Sequence, residues 1–363
     1  MNTQINSCRN SNIEVLRIIA ILFIITSHYS VHNGLDNSTI SFGVNRVILD
    51  ISILGNIGVI LFMLISGYFM INRKITPTKI ALLCIQTVFY SAGIYMLIVV
   101  LGFQSFSVAN MIKAAFPIIF MQYWFVGVYV ILCIFSPFIN MFLNSLDRRE
   151  HCKFNYIMLV LFSILPTFTS AMDYGNAIVQ FILFYSMGAY MSRYKNHEDK
   201  TFIQKYKMIA IISAVLLVLS VIVFDLLGTK IEKFNTISTY FFNRTSVLAI
   251  VFSVALFGVF ITGEKFCNRT INLISSCTLG VYLIHDNHYL RVVLWEDILK
   301  NKDYVNSNWM IVHLIVSVVS VFAVCTIIDI IRKFTAEKLT RIILADGVEN
   351  LCKKVNTYIE IKS

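Results

Sequence analysis

Apolar residues recur in long, nearly continuous stretches from one end of the chain to the other. A stretch of about 20 apolar residues is long enough to cross the hydrocarbon core of a bilayer as an α-helix. The pattern predicts ten such spans, at residues 13–31, 51–71, 80–101, 123–143, 155–172, 177–192, 208–227, 246–262, 271–290 and 309–331. We therefore expect an all-α membrane protein, a bundle of about ten transmembrane helices.

Two segments do not fit this spanning pattern. Residues 108–121 are apolar but short and contain Lys113, so we interpret them as an interfacial or re-entrant piece. Residues 336–363 place apolar residues at near-helical spacing among basic ones, which predicts an amphipathic tail on the anionic inner leaflet. We expect residues 1–335 to form one transmembrane domain.

Composition and charge support this class. Hydrophobic residues make up 57% of the chain and charged residues 14%, whereas a soluble domain carries about a quarter charged residues. The net charge of +10 would suggest a nucleic-acid partner in a soluble protein, but here its distribution sets orientation. With the N-terminus inside, ten spans place 21 Lys and Arg on the cytoplasmic side and 8 outside. Both termini are therefore predicted to be cytoplasmic.

The cysteines add little chemistry. None of the eight lies in a predicted outer loop, so the sequence implies no disulfide framework. Their spacing resembles no metal site, and we expect no metal.

The first predicted helix carries Glu14, Arg17 and His28 within an otherwise apolar stretch. Arg17 and His28 are eleven residues apart, which is three helical turns plus roughly 20°, so their side chains point the same way. They are separated by about 16 Å along the axis. Glu14 precedes Arg17 by three residues and can pair with it. Ionisable residues on one stripe usually mark a site. We expect Arg17 and His28 to face the bundle interior together, rather than lipid or separate cavities.

These residues also have simpler interpretations. Glu14 and Arg17 could be a snorkelling pair that anchors the helix, and His28 could be an interfacial histidine. The functional interpretation gains weight because the topology also places His285 near the outer face. An imidazole is the usual proton acceptor near neutral pH.

Two other segments carry side chains that could bind ligands. The turn after the second span contains Arg73, Lys74 and Lys79, which could clamp the phosphates of a cytosolic donor or merely reflect positive-inside bias. The fourth span opens with YWFVGVY, where Trp124 and Tyr129 could contact a substrate or serve as interfacial anchors and packing residues.

Several motifs together resemble one known family. They are E-x-x-L-R-x-x-A-I-L-x-x-x-x-x-H at 14–28, F-M-L-I-S-G-Y-F at 62–69, the basic turn at 73–79, Y-W-F-V-x-x-Y with S-P-F at 123–138, and S-x-x-T-L-G-V-Y-L-I-H at 275–285. With these motifs the chain resembles acyltransferase family 3, integral-membrane enzymes that include bacterial O-acetyltransferases of surface polysaccharides.

The resemblance implies an enzyme of the bacterial plasma membrane that uses cytosolic acetyl-CoA to acylate a hydroxyl of a glycan or lipid-linked oligosaccharide. His28 matches the family's essential histidine, and Glu14 and Arg17 match its acidic-x-x-Arg pair. Arg73 corresponds to the family's cytoplasmic cluster, which is usually richer in arginine than this turn. Where the family often has proline after the last motif, this chain has Asp286.

These observations together lead to the hypothesis that the protein is a transferase. Arg17, Arg73, Lys74 and Lys79 would hold the donor, and His28 would act as general base or form a transient acyl-histidine. Tyr282 and His285 could orient the acceptor or stabilise the oxyanion. The alternative is a transporter or flippase for a glycan or lipid-linked intermediate, with His28 as a proton relay, although no internal repeat is evident. A sensory or scaffold protein is a third option. The sequence leaves the oligomeric state open.

Overall fold

The computed structural model describes residues 9–32, 34, 40–73, 75–169, 177–194 and 200–337. Within these ranges the chain is helical and contains no β-strand. The predicted tail at 336–363 and the predicted ligand Lys74 lie outside the described residues, except for the backbone of 336 and 337.

The helices follow one another with short connections. The first group is α1 Ser11–Val31, α2 Val44–Ile51, α3 Gly55–Met70, α4 Pro77–Val100, α5 Val108–Ala115 and α6 Trp124–Ser145. The second is α7 Arg148–Leu159, α8 Leu165–Phe168, α9 Ala177–Tyr194, α10 Lys200–Gly228, α11 Lys233–Thr236 and α12 Val247–Thr262. The third is α13 Arg269–Ser276, α14 Thr278–His285, α15 Leu290–Val292, α16 Asn301–Tyr304 and α17 Met310–Arg332.

Eight helical segments of the described chain are long and apolar enough to cross a membrane. α9, with 18 residues, is not among them because Gln180, Arg193 and several tyrosines lower its hydropathy. α5 has only eight residues, too few to span a bilayer. By contrast, α10, which follows α9 in the chain, is one of the eight segments, and its exposed apolar side chains, such as Ile211 and Leu216, face outward as lipid contact requires.

The predicted ninth span, 271–290, is not one continuous helix. It breaks at Cys277 into α13 and α14. Two contacts with other helices accompany the break: the Ser275 hydroxyl donates to Glu14 on α1, and the Lys333 ammonium donates to the Ser276 carbonyl. Irregular backbone at membrane depth is tolerated where protein groups satisfy it, and such breaks often line binding sites.

α1 and α3 occupy the centre of the bundle. α3 packs against α1, α9 and α12, and α1 also contacts α13, α14 and α17. α3 and α9 approach closely because each carries a glycine that faces the backbone of the other helix. A Cβ at Gly67 would overlap the Tyr185 carbonyl, and one at Gly188 would overlap the Leu64 carbonyl. Small residues allow this backbone approach in membranes.

One expectation about the cysteines is wrong. Cys84, Cys133, Cys152, Cys277 and Cys325 are free thiols, but Cys267 is disulfide-bonded. The segment that carries Cys267 lies against the start of α1, where the Ser11 amide donates to the Phe266 carbonyl. The spacing of the cysteines along the chain does not indicate that Cys267 is paired.

Candidate active site

The N-terminal end of α1 holds Arg17 inside the bundle. Arg17 Nη1 lies 3.1 Å from Glu14 Oε2, and the Ser275 hydroxyl donates to the same carboxylate oxygen at 2.5 Å. The guanidinium also lies over the Phe69 ring, 5.5 Å from its centroid. Glu14 is buried, and the Arg17 side chain is 26% exposed. The pair is therefore fixed between helices and keeps one cationic face open to a cavity.

At the other end of α1, hydrogen bonds determine which nitrogen of His28 carries a proton. His285 Nδ1 lies 2.6 Å from the Val281 carbonyl, which can only accept, so this nitrogen must carry the hydrogen. In neutral His285, Nε2 is then an acceptor, and it lies 3.0 Å from His28 Nδ1. His28 therefore donates from Nδ1, which leaves the lone pair on His28 Nε2 free.

Asp286, His32 and Arg291, which were not predicted as site residues, complete this cluster. Asp286 Oδ1 lies 3.7 Å from His28 Nδ1 and 3.5 Å from His32 Nε2. Arg291 Nη1 lies 4.0 Å from the same oxygen. Asp286 is buried, and its carboxylate can stabilise the positive charge that forms when His28 Nε2 accepts a proton. The only signal in the sequence was its position directly after His285.

The same atoms could in principle hold a metal ion. Ligand atoms of His28, His32 and Asp286 all lie within 4.8 Å of one another. The His28 nitrogen that faces Asp286, at 3.7 Å, is Nδ1, and this nitrogen also donates to His285. Loss of this proton would leave two lone pairs facing each other at 3.0 Å. The donor set therefore fits proton transfer better than metal binding.

Arg17 and His28 line two adjacent cavities. The Arg17 cavity, of about 330 Å³, also includes Arg9, Ser275 and Ser276. The His28 cavity, of about 290 Å³, includes His32, Asp286 and Arg291. Three residues belong to the lining of both: Ile24, Phe125 and Tyr282. Both side chains thus face the protein interior, as expected, but the expectation that they would not line separate cavities is wrong, because Ile24, Phe125 and Tyr282 stand between the two cavities.

Further cavities lead from Arg17 toward the basic turn. The Lys79 cavity, of about 300 Å³, is lined by Arg73 and Lys79 and shares Leu83 and Tyr129 with the Arg17 cavity. The Asn144 cavity, of about 510 Å³, shares Arg73 and Ile75 with the Lys79 cavity. Neighbouring cavities with common walls therefore form a row from the basic turn to His28.

A family model for an acyltransferase domain, acyltransferase 3, matches residues 10–330. The chain belongs to the acyltransferase 3 family. It is therefore a membrane acyltransferase with several membrane-spanning helices, and this assignment does not favour the transporter alternative. Searches among curated proteins and among solved structures each returned no match.

The predicted contact residues of this acyltransferase fall in different parts of the row. Trp124 lines the His28 cavity, and the Arg244 guanidinium lies over its ring, 5.0 Å from the centroid. Tyr129 lines the Arg17 and Lys79 cavities instead. Both were predicted to contact substrate, whereas the structure places them on opposite sides of the wall formed by Ile24, Phe125 and Tyr282.

Proposed function

We propose that this acyltransferase transfers an acetyl group from acetyl-CoA to a hydroxyl of a surface polysaccharide or lipid-linked glycan, with His28 as general base. One observation carries the proposal: the free Nε2 lone pair of His28 lies at one end of the row of cavities, and Arg17, Arg73 and Lys79 lie along the rest. Cationic side chains can bind the phosphates of a polyanionic donor, and a basic nitrogen can take the proton from a hydroxyl.

The donor occupies the cationic part of the row. The phosphates of coenzyme A bind Arg73 and Lys79, both of which are exposed, and Lys74 belongs to the same basic turn. The pantetheine arm then passes Tyr129 and Arg17, so that the thioester reaches the wall formed by Ile24, Phe125 and Tyr282. Arg17 can contact the donor because Glu14 and Phe69 cover only part of its guanidinium, which also lines the cavity.

The chemical step takes place in the His28 cavity. His28 Nε2 accepts the proton of the acceptor hydroxyl while the hydroxyl oxygen attacks the thioester carbon. The carbon–sulfur bond then breaks, and the coenzyme A thiolate takes the proton from the imidazolium. His285 holds His28 in the required tautomer, and Asp286 stabilises its transient charge.

The acceptor approaches from the side opposite the basic turn. Trp124, Asn56 and Arg291 line the His28 cavity together with the histidines. An aromatic ring combined with a few convergent polar groups suits a carbohydrate, which has both apolar faces and hydroxyls. This supports a glycan acceptor.

Charge supports the membrane arrangement that the reaction needs. We infer ten spans, in which α9 and the broken pair α13–α14 join the eight long segments. Both termini then lie in the cytoplasm of a bacterial cell, and the basic turn faces cytosolic acetyl-CoA. Cys267 would lie on this reducing side, so we expect its disulfide to be reduced in the cell.

Purified full-length protein in lipid nanodiscs tests the proposal. Acetyl-CoA at 100 times its Kd should stabilise the fold by about 2.7 kcal/mol, which is measured as a raised Tm. Pantetheine, which lacks the phosphates of coenzyme A, should not raise the Tm. An organic extract of lipid-linked glycans from the source membranes should stimulate coenzyme A release and gain the mass of an acetyl group. Absence of both protection and release would contradict the proposal.

A further inference from the structure

Tyr282 stands at the boundary between the two halves of the row of cavities. It lies on α14, one turn before His285, and lines both the Arg17 cavity and the His28 cavity. Its ring packs edge-on against Phe125 and Tyr123, at centroid distances of 5.7 and 6.0 Å. An acyl group that moves from the donor side to His28 must therefore pass this ring.

The hydroxyl of Tyr282 is buried without a hydrogen-bond partner among the described residues. The residue is 5% exposed, and the Asp286 carboxylate is the charged group that acts most strongly on the hydroxyl. Buried hydroxyls are normally paired, because an unpaired one loses its bonds to water. Other tyrosines here follow that rule: Tyr123 donates to the Leu283 carbonyl, and Tyr29 pairs with His313.

We propose that the Tyr282 hydroxyl is a hydrogen-bond donor to the thioester carbonyl oxygen and to the oxyanion that this oxygen becomes. The inference rests on the proposed acetyl transfer. As the acetyl group passes the wall, its carbonyl oxygen supplies the partner that the hydroxyl lacks. When the acceptor oxygen attacks, negative charge develops on the thioester carbonyl oxygen. The hydrogen bond from Tyr282 therefore strengthens until the carbonyl re-forms and coenzyme A leaves. No proton leaves Tyr282.

Tyr282→Phe separates this role from packing, because it keeps the ring and removes only the hydroxyl. Since that hydroxyl has no partner, its removal should leave the Tm equal to or above that of the unmodified protein. Removing one oxyanion donor lowers kcat by about 10²–10³-fold. The KM for acetyl-CoA and the Tm increase given by acetyl-CoA should stay within twofold.

Tyr29→Phe is the matched control. Tyr29 is also a buried tyrosine near His28, but its hydroxyl already has a protein partner and it lines neither cavity. Its kcat should stay within about threefold of the unmodified protein, with a lower Tm.

The readout is coenzyme A release from acetyl-CoA, with the glycan extract as acceptor. A kcat for Tyr282→Phe within threefold of the unmodified protein would overturn the inference, as would a variant that fails to fold or loses acetyl-CoA protection, because the hydroxyl would then be structural or donor-binding. If the unmodified protein itself neither binds nor cleaves acetyl-CoA, the proposed function fails instead.

Discussion

His28 Nδ1 lies 3.0 Å from His285 Nε2, and the other nitrogen of His285 faces the Val281 carbonyl. This chain of contacts runs from a backbone oxygen on α14 to the catalytic candidate on α1. It fixes the tautomer of His28 with Nε2 unprotonated. The pair therefore resembles a base and the residue that orients it, a relationship that recurs in hydrolytic and transfer enzymes.

The first prediction concerns His285 as a positioning residue. His285→Gln keeps a side-chain oxygen that can accept from His28 Nδ1, whereas His285→Leu removes the acceptor. We expect the Gln variant to retain at least tenfold more kcat than the Leu variant, with similar KM for acetyl-CoA, because the loss lies in the tautomer of the base. Steady-state coenzyme A release measures both. Equal losses in the two variants would argue that His285 acts only through packing.

The second prediction concerns Arg17 as a donor ligand. A hydrogen bond to a charged group contributes about 1.5–3 kcal/mol, so Arg17→Gln should raise the KM for acetyl-CoA by roughly 10–150-fold. Arg17→Lys should have a smaller effect, since it keeps the charge but not the fork of donors.

Two controls accompany the Arg17 variants. Glu14→Gln combined with Arg17→Gln avoids leaving the buried Glu14 carboxylate unpaired, which would destabilise the fold by itself. Lys113→Gln removes an exposed cation of α5 that lines none of the four cavities described above. Its KM should change less than twofold. An unchanged KM in the double variant would remove Arg17 from the donor site.

The third prediction tests the α3–α9 contact. Gly67→Ala should lower the Tm in detergent, because its methyl group would overlap the Tyr185 carbonyl and overpacking costs about 1–3 kcal/mol. Gly93→Ala on α4 is the control: nothing lies within 4 Å of its added methyl, and alanine is the better helix former. Its Tm should be unchanged or higher. A Gly67→Ala Tm equal to that of Gly93→Ala would contradict the packing described for these helices.

The fourth prediction tests orientation. Cys152 is an exposed free thiol near the start of α7, at the end of the bundle where α6 terminates. In intact cells it should resist a membrane-impermeant maleimide and react once the cells are opened. Asn306→Cys introduces an exposed thiol before α17, at the His28 end, and should react in intact cells. The reverse pattern, read by mass spectrometry of the labelled peptides, would invert the proposed topology.

The pattern of apolar residues and the helical repeat were sufficient to predict which side of α1 faces the interior and that α5 is too short to span the membrane. The eleven-residue spacing of Arg17 and His28 places both toward the interior, and the short apolar piece around Lys113 proved to contain a helix too short to span. These features depend only on the helical repeat and on the length of apolar runs, which the sequence states directly.

Features that depend on tertiary contacts could not be predicted in this way. The break at Cys277 coincides with contacts that Ser275 and Ser276 make to α1 and to Lys333. The role of Asp286 depends on residues more than 250 positions earlier in the chain, and Tyr282 matters because two cavities meet at its ring. Hydropathy averages over a span and contains no information on such pairings.

The most direct test of the account is coenzyme A release by His28→Ala, measured beside acetyl-CoA binding in the same preparation. General base catalysis contributes about 10²–10⁴-fold, so kcat should fall by at least 10²-fold. The Tm increase given by acetyl-CoA should persist, because Arg17, Arg73 and Lys79 remain in place. A variant that binds acetyl-CoA and releases coenzyme A at close to the unmodified rate would contradict His28 as the base and the reaction path built on it.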